Sequence, residues 1–110
     1  MPDASLEMET RNQTEFREMN EWIVEGVATP DGDGTRMFLC ECSDATCALS
    51  IALTPSEYEA VRAEPTRFVI AVDHENPELD HVVAENKRFA TVVKFYGPTV
   101  RIARSTDPRR

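Results

Sequence analysis

An α+β fold is the architecture this sequence predicts: an N-terminal amphipathic helix, a small mostly antiparallel sheet, one capped helix between strands, and a zinc knuckle. Three observations lead there. Apolar residues recur at spacings of three and four near the N-terminus, short β-branched and aromatic runs follow from Arg36, and a helix-start signal lies between two of those runs. The 110 residues are 41% hydrophobic and 29% charged, enough for one modest core and well away from the composition of a disordered chain. The expected organisation is a flexible leader over residues 1–10, a single domain over 11–103 and a flexible tail over 104–110.

The first helix is expected from about Arg11, with Phe16, Met19, Ile23 and Val27 on one stripe, Trp22 beside it and glutamates on the other faces. Gly26 is a natural stop, and Thr29 to Gly34 collects the proline, glycine and aspartate of an exposed loop. Met37 to Cys40 and Ala48 to Leu53 read as strands flanking a cysteine loop. Thr54, Pro55 and Glu57 supply an N-cap, a proline at the first helical position and the glutamate of a capping box, so a helix should run to about Glu64. Pro65 ends it, and Arg67 to Val72 reads as a buried strand. His81 to Ala84 and Phe89 to Tyr96 can pair as a hairpin across residues 85–88, with a helix over 77–88 as the competing reading. After Gly97 and Pro98, Val100 and Ile102 alternate briefly before a charged tail.

The formal charge is -8, with 20 acidic against 12 basic side chains, and the basic residues gather late in the chain without forming a continuous basic face. Nucleic-acid binding is therefore not expected, since it needs such a face to displace counterions. The longest purely apolar run, Phe68 to Val72, is far short of the about 20 residues that span a bilayer, and no secretory signal opens the sequence. A cytoplasmic setting with no membrane contact is the expectation.

One cluster carries chemistry. All 3 cysteines, Cys40, Cys42 and Cys47, fall in the string Cys-Glu-Cys-Ser-Asp-Ala-Thr-Cys. An odd number of thiols, with the first pair too close for an unstrained disulfide, fits metal ligation better than a disulfide framework. Side chains two apart on an extended strand share a face, so Cys40 and Cys42 can reach one ion, and Cys47 can return across a turn favoured by Ser43 and Asp44. Three thiolates leave a tetrahedral ion one ligand short. His74 ranks first for the fourth place because it follows a buried strand; His81 ranks second and a carboxylate third. Zn2+ is the favoured metal, since Cys3His is a standard structural zinc set and the spacing departs from plant-type iron–sulfur motifs. An open catalytic zinc would need a base, for which Glu41 and Glu75 are candidates.

The cysteine string resembles the zinc-binding tail that follows the catalytic domain of some lysine methyltransferases, although only this knuckle matches and the fourth cysteine is absent. A broader set of residues, Phe16 to Glu21, Phe38 to Cys42, Leu53-Thr54, Glu57 to Glu59, Val61-Arg62, His74-Glu75 and Val82-Val83, is similar to a family of small uncharacterised actinobacterial proteins. That resemblance implies a bacterial cytosolic setting and keeps His74 with the cysteines; the family's pattern carries glycine before the histidine, where this chain has Asp73.

With no catalytic set, no basic groove and no nucleotide loop, the expected function is a non-enzymatic zinc-binding module that engages another protein, with metal ligands Cys40, Cys42, Cys47 and His74. The alternative is a thiol-based redox sensor or small thiol enzyme using the same cysteines, with His74 or His81 as base.

Overall fold

A computed structural model describes residues 3–25, 34–47 and 49–109. The element order is α1 (Asp3–Glu25), β1 (Arg36–Leu39), β2 (Ser50–Leu53), α2 (Pro55–Arg62), β3 (Arg67–Ile70), β4 (Asp80–Glu85), β5 (Ala90–Lys94) and α3 (Gly97–Ser105). The fold is α+β as expected, with its strands divided between two antiparallel sheets, β1–β2 and β3–β5–β4. Val27, the Gly26 stop and most of the loop expected over 29–34 lie outside the described residues.

Local signals account for the middle of the chain. The capping box at α2 forms in full: the Glu57 amide donates to Thr54 Oγ1 at 3.1 Å and the Thr54 amide donates to Glu57 Oε1 at 2.8 Å. The β4–β5 hairpin, not the competing helix, closes over residues 85–88, where Asn86 Oδ1 accepts from the Arg88 and Phe89 amides at 2.7 and 2.9 Å. In the larger sheet Phe68 faces Val92 and Ile70 faces Ala90 across the β3–β5 pair. The main apolar core joins both sheets to α2 through Phe38, Ile51, Leu53, Tyr58, Val61, Val69 and Phe89, with the Phe38 and Tyr58 rings stacked at 4.7 Å.

Both ends of the chain depart from expectation. Helix α1 begins at Asp3, so residues assigned to a loose leader continue the helix. Its buried face is also not the apolar stripe. Thr10, Gln13, Thr14, Arg17, Asn20 and Glu21 are buried, at helical spacing, while Phe16 and Ile23 are only half-buried, and Met19 (47%) and Trp22 (70%) are exposed. Alternating apolar residues suggested a strand around Val100, but burial of Thr99, Ile102 and Ala103 follows the period of a helix, and Pro98 near its start favours α3. Nor is the tail untethered: Arg62 pairs with Asp107, and Arg109 bonds Glu21 Oε2 at 2.7 Å and Glu59 Oε1 at 2.7 Å.

A polar α1 face can be buried because nearly every group on it is matched. Arg17, fully buried, donates to the carbonyls of Pro65 (2.8 Å) and Ala103 (2.9 Å) and lies 4.8 Å over the Phe68 ring. The Ala103 carbonyl is in the last turn of α3, the negative end of that helix, which suits a cation. Burial nevertheless holds the Arg17 guanidinium below its ordinary pKa. Glu21 receives Arg62 Nε at 2.6 Å, tying α1 to α2. Lys94 bonds Asp80 at 2.6 Å and also Gln13, with Lys94 and Asp80 side chains wholly buried.

The Glu41 carboxylate joins these elements. Oε2 accepts from Asn20 Nδ2 at 2.8 Å and from the Tyr58 hydroxyl at 2.9 Å, and Oε1 accepts from the Val69 amide at 3.0 Å. Burial pushes this carboxyl up from its ordinary pKa, against the pull of those three donors. A glutamine here would set an NH2 group against donors. Glu41→Gln is accordingly expected to lower unfolding free energy by about 1–3 kcal/mol in urea titrations, the cost of a buried unmatched polar group.

Glu57 gives a pH dependence. The bidentate Arg88 contact (3.0 and 2.6 Å) lowers its pKa to about 2. A depressed carboxylate contributes stability above its unfolded value of roughly 4.3 that is lost as pH falls toward about 2. Glu57→Gln should flatten that part of the acid-stability curve, read by thermal melts between pH 5 and 2.

Candidate metal centre

The strand β1 ends at Leu39, and the chain continues extended past it: the Cys40 amide donates to the Leu49 carbonyl at 3.1 Å and the Glu41 amide to the Val69 carbonyl at 2.8 Å. Residues 40–42 therefore run alongside β3 and stitch the two sheets together. Side chains alternate along this stretch, so Cys40 and Cys42 face one side and Glu41 the other. The thiols rest on a second apolar cluster of Phe68, Ile70, Ala90, Val92 and Ala103.

Cys47 returns through a turn in which its amide donates to the Asp44 carbonyl at 3.0 Å. Asp44 Oδ1 caps that turn, accepting from the Thr46 amide at 2.9 Å and the Thr46 hydroxyl at 2.7 Å; these bonds lower the Asp44 pKa. Ser43 contributes differently, its carbonyl accepting from Asn12 Nδ2 of α1 at 3.1 Å.

His74 arrives from β3 by another turn, closed by its amide donating to the Ala71 carbonyl at 3.0 Å. Asp73 has φ 72°, and it is the one described non-glycine residue with positive φ. A single positive φ at the third turn position is the type II pattern, which favours glycine and tolerates aspartate at some cost. Asp73 thus holds a conformation that glycine adopts without strain.

These two turns bring the ligand atoms of Cys40, Cys42, Cys47 and His74 within 4.8 Å of one another. His74 Nδ1 lies 3.6 Å from Cys40 Sγ and 3.7 Å from Cys47 Sγ. For tetrahedral zinc with Zn–S of about 2.3 Å and Zn–N of about 2.0–2.1 Å, the sulfur–nitrogen separation is about 3.6 Å. The cluster is compatible with a metal site of that kind. His81, the second candidate, stands exposed on β4, its ring tilted against Phe95 with centroids 4.1 Å apart, and is not among the clustered ligands. Neither Glu41 nor Glu75 joins the cluster; Glu41 faces the polar core, so it is not placed to act as a base there.

A hydrogen bond between Cys40 and Cys42 divides their acidities, lowering Cys42 to about 5 and raising Cys40, whose burial adds to the rise; burial also raises Cys47. The Ala71 amide donates to Cys40 Sγ at 3.1 Å, the kind of outer contact that stabilises a ligating thiolate. It comes from the end of β3, not from the Ser43–Asp44 turn. The supports supplied by Asn12, Gln13 and Asn20 are not foreseen from the sequence; their one signal is that Gln13 and Asn20 stand seven residues, two helical turns, apart on α1.

No protein-family model matches the chain, and no curated protein or solved structure is significantly similar to it. Among the described residues no helix is long and apolar enough to cross a membrane.

Backbone strain at Asp73 makes a test of the His74 turn. Asp73→Gly should keep or raise stability in thermal melts, whereas Asp73→Val, which carries a branched Cβ into the left-handed region, should lose about 1–2 kcal/mol.

Proposed function

We propose that this chain is a non-enzymatic zinc-binding module in which Cys40, Cys42, Cys47 and His74 hold one structural Zn2+. The observation that carries this reading is the convergence of three sulfurs and one imidazole nitrogen within 4.8 Å of one another, with His74 Nδ1 at 3.6 and 3.7 Å from two of the sulfurs. Four protein ligands fill a tetrahedral ion and leave no position for substrate water, the hallmark separating structural from catalytic zinc. Soft thiolates favour zinc over magnesium or calcium, which prefer oxygen. Structural zinc contributes on the order of 10 kcal/mol of apparent folding free energy in small domains, comparable with the whole stability of a chain this size.

The second half of the proposal is that the module engages another protein. Its support is three large apolar side chains left open on α1, Met8 (62% exposed), Met19 and Trp22, among the charged residues of that face. A thiol sensor on the same cysteines is the second reading, favoured by the lowered Cys42 pKa and the half-buried position of Cys47.

Elemental analysis of protein purified without added metal separates the two. The module predicts one zinc per chain, retained by His81→Ala and largely lost by His74→Ala. Metal-free protein bearing one reactive thiol would replace the module with the sensor.

A further inference from the structure

We infer that docking of α1 and retention of the metal are one coupled equilibrium, with Asn20 as a positioning residue for a metal it does not touch. The inference rests on the zinc reading above and concerns how that site is regulated.

Every polar contact of α1 with the ligand-bearing segment falls on its backbone or on the residue between two ligands. Asn20 spans Leu39 completely: its Oδ1 accepts from the Leu39 amide at 2.8 Å and its Nδ2 donates to the Leu39 carbonyl at 2.9 Å. The same Nδ2 reaches Glu41 Oε2 at 2.8 Å. Gln13 Nε2 donates to the Glu41 carbonyl at 3.1 Å, and Asn12 Nδ2 to the Ser43 carbonyl at 3.1 Å. Three side chains of one helix therefore hold residues 39, 41 and 43 in register, while residues 40 and 42 face the ion.

The extended shape of this segment is what both partners require. If it twists, Cys40 and Cys42 cease to share a face and the Asn20 pair to Leu39 breaks together with them. Elsewhere α1 is held by Arg17 on Pro65 and Ala103 and by Glu21 on Arg62 and Arg109, so its grip on this particular segment rests on Asn12, Gln13 and Asn20. Two ligands that stabilise the same conformation of one element reinforce each other, and the coupling is reciprocal. A partner that draws α1 away would loosen the metal, and loss of the metal would weaken the hold of α1 on residues 39–43.

Zinc affinity, measured by competition with a chromophoric chelator, tests this in the full-length chain. Coupling energies of the usual size predict a rise in zinc Kd of about 5–150-fold for Asn20→Ala. Asn12→Ala, a half-buried and milder change, should move Kd in the same direction by less. Val61→Ala removes packing from the main core and reports the shift in Kd that destabilisation alone produces when folding and zinc binding are linked; the Asn20→Ala shift should exceed it. Wild-type Kd in both asparagine variants, or an equal shift in Val61→Ala, overturns the coupling while the zinc reading stands. Failure of the wild-type chain to bind zinc overturns the zinc reading itself and the coupling with it.

Discussion

Alternation along an extended backbone at Cys40, Glu41 and Cys42 is the constraint on which the remaining structure depends. Because successive side chains leave opposite sides of the chain, the thiols of Cys40 and Cys42 point toward His74 while the carboxylate between them enters the core. The backbone amide of Glu41 bonds Val69 and its carboxylate receives the Val69 amide, so one residue clasps β3 from two directions. Through Tyr58 and Asn20 the same carboxylate reaches α2 and α1. A single dipeptide step thus separates the chemistry of the site from the scaffold that supports it.

The scaffold is unusual in what it buries. Arg17, Glu41, Arg62, Asp80 and Lys94 are all nearly inaccessible, in a chain whose surface already carries a large acidic excess. Removing charges from water is costly, and ion pairs in the interior often contribute less to stability than apolar residues of equal volume. Such a network does impose geometry: a guanidinium or amide fits only where its acceptors lie, whereas an apolar helix face tolerates sliding. Precision in the placement of α1 is what a ligand segment held by Gln13 and Asn20 needs. Matching is not complete, since Arg17 Nε and Arg62 Nη1 are buried without a partner among the described residues.

Two turns complete the site, and they solve the same problem by different means. At Asp44 a side-chain oxygen replaces a missing backbone partner and fixes the return of Cys47. At Asp73 the backbone itself takes a left-handed conformation to reverse the chain after β3 and present His74. One turn after β1 and one after β3 bring Cys47 and His74 to the same cluster, which thereby spans the two sheets.

What was legible from residues alone was local: the capping box of Thr54 and Glu57, the hairpin across 85–88, the shared face of Cys40 and Cys42, and the preference for His74 over His81 as the neighbour of the thiols. The first three depend on contacts close in sequence or on the fixed two-residue period of a strand; the preference for His74, 34 residues from Cys40 and 27 from Cys47, rests on its place after a buried strand. The docking face of α1 was decided only by the tertiary fold, because hydrophobic periodicity assumes that burial follows apolarity. Here distant acceptors, Leu39, Glu41, Pro65 and Ala103, satisfy a polar stripe and turn Met19 and Trp22 outward. The tethering of Asp107 and Arg109 was likewise set by partners far along the chain, whose positions no local pattern encodes.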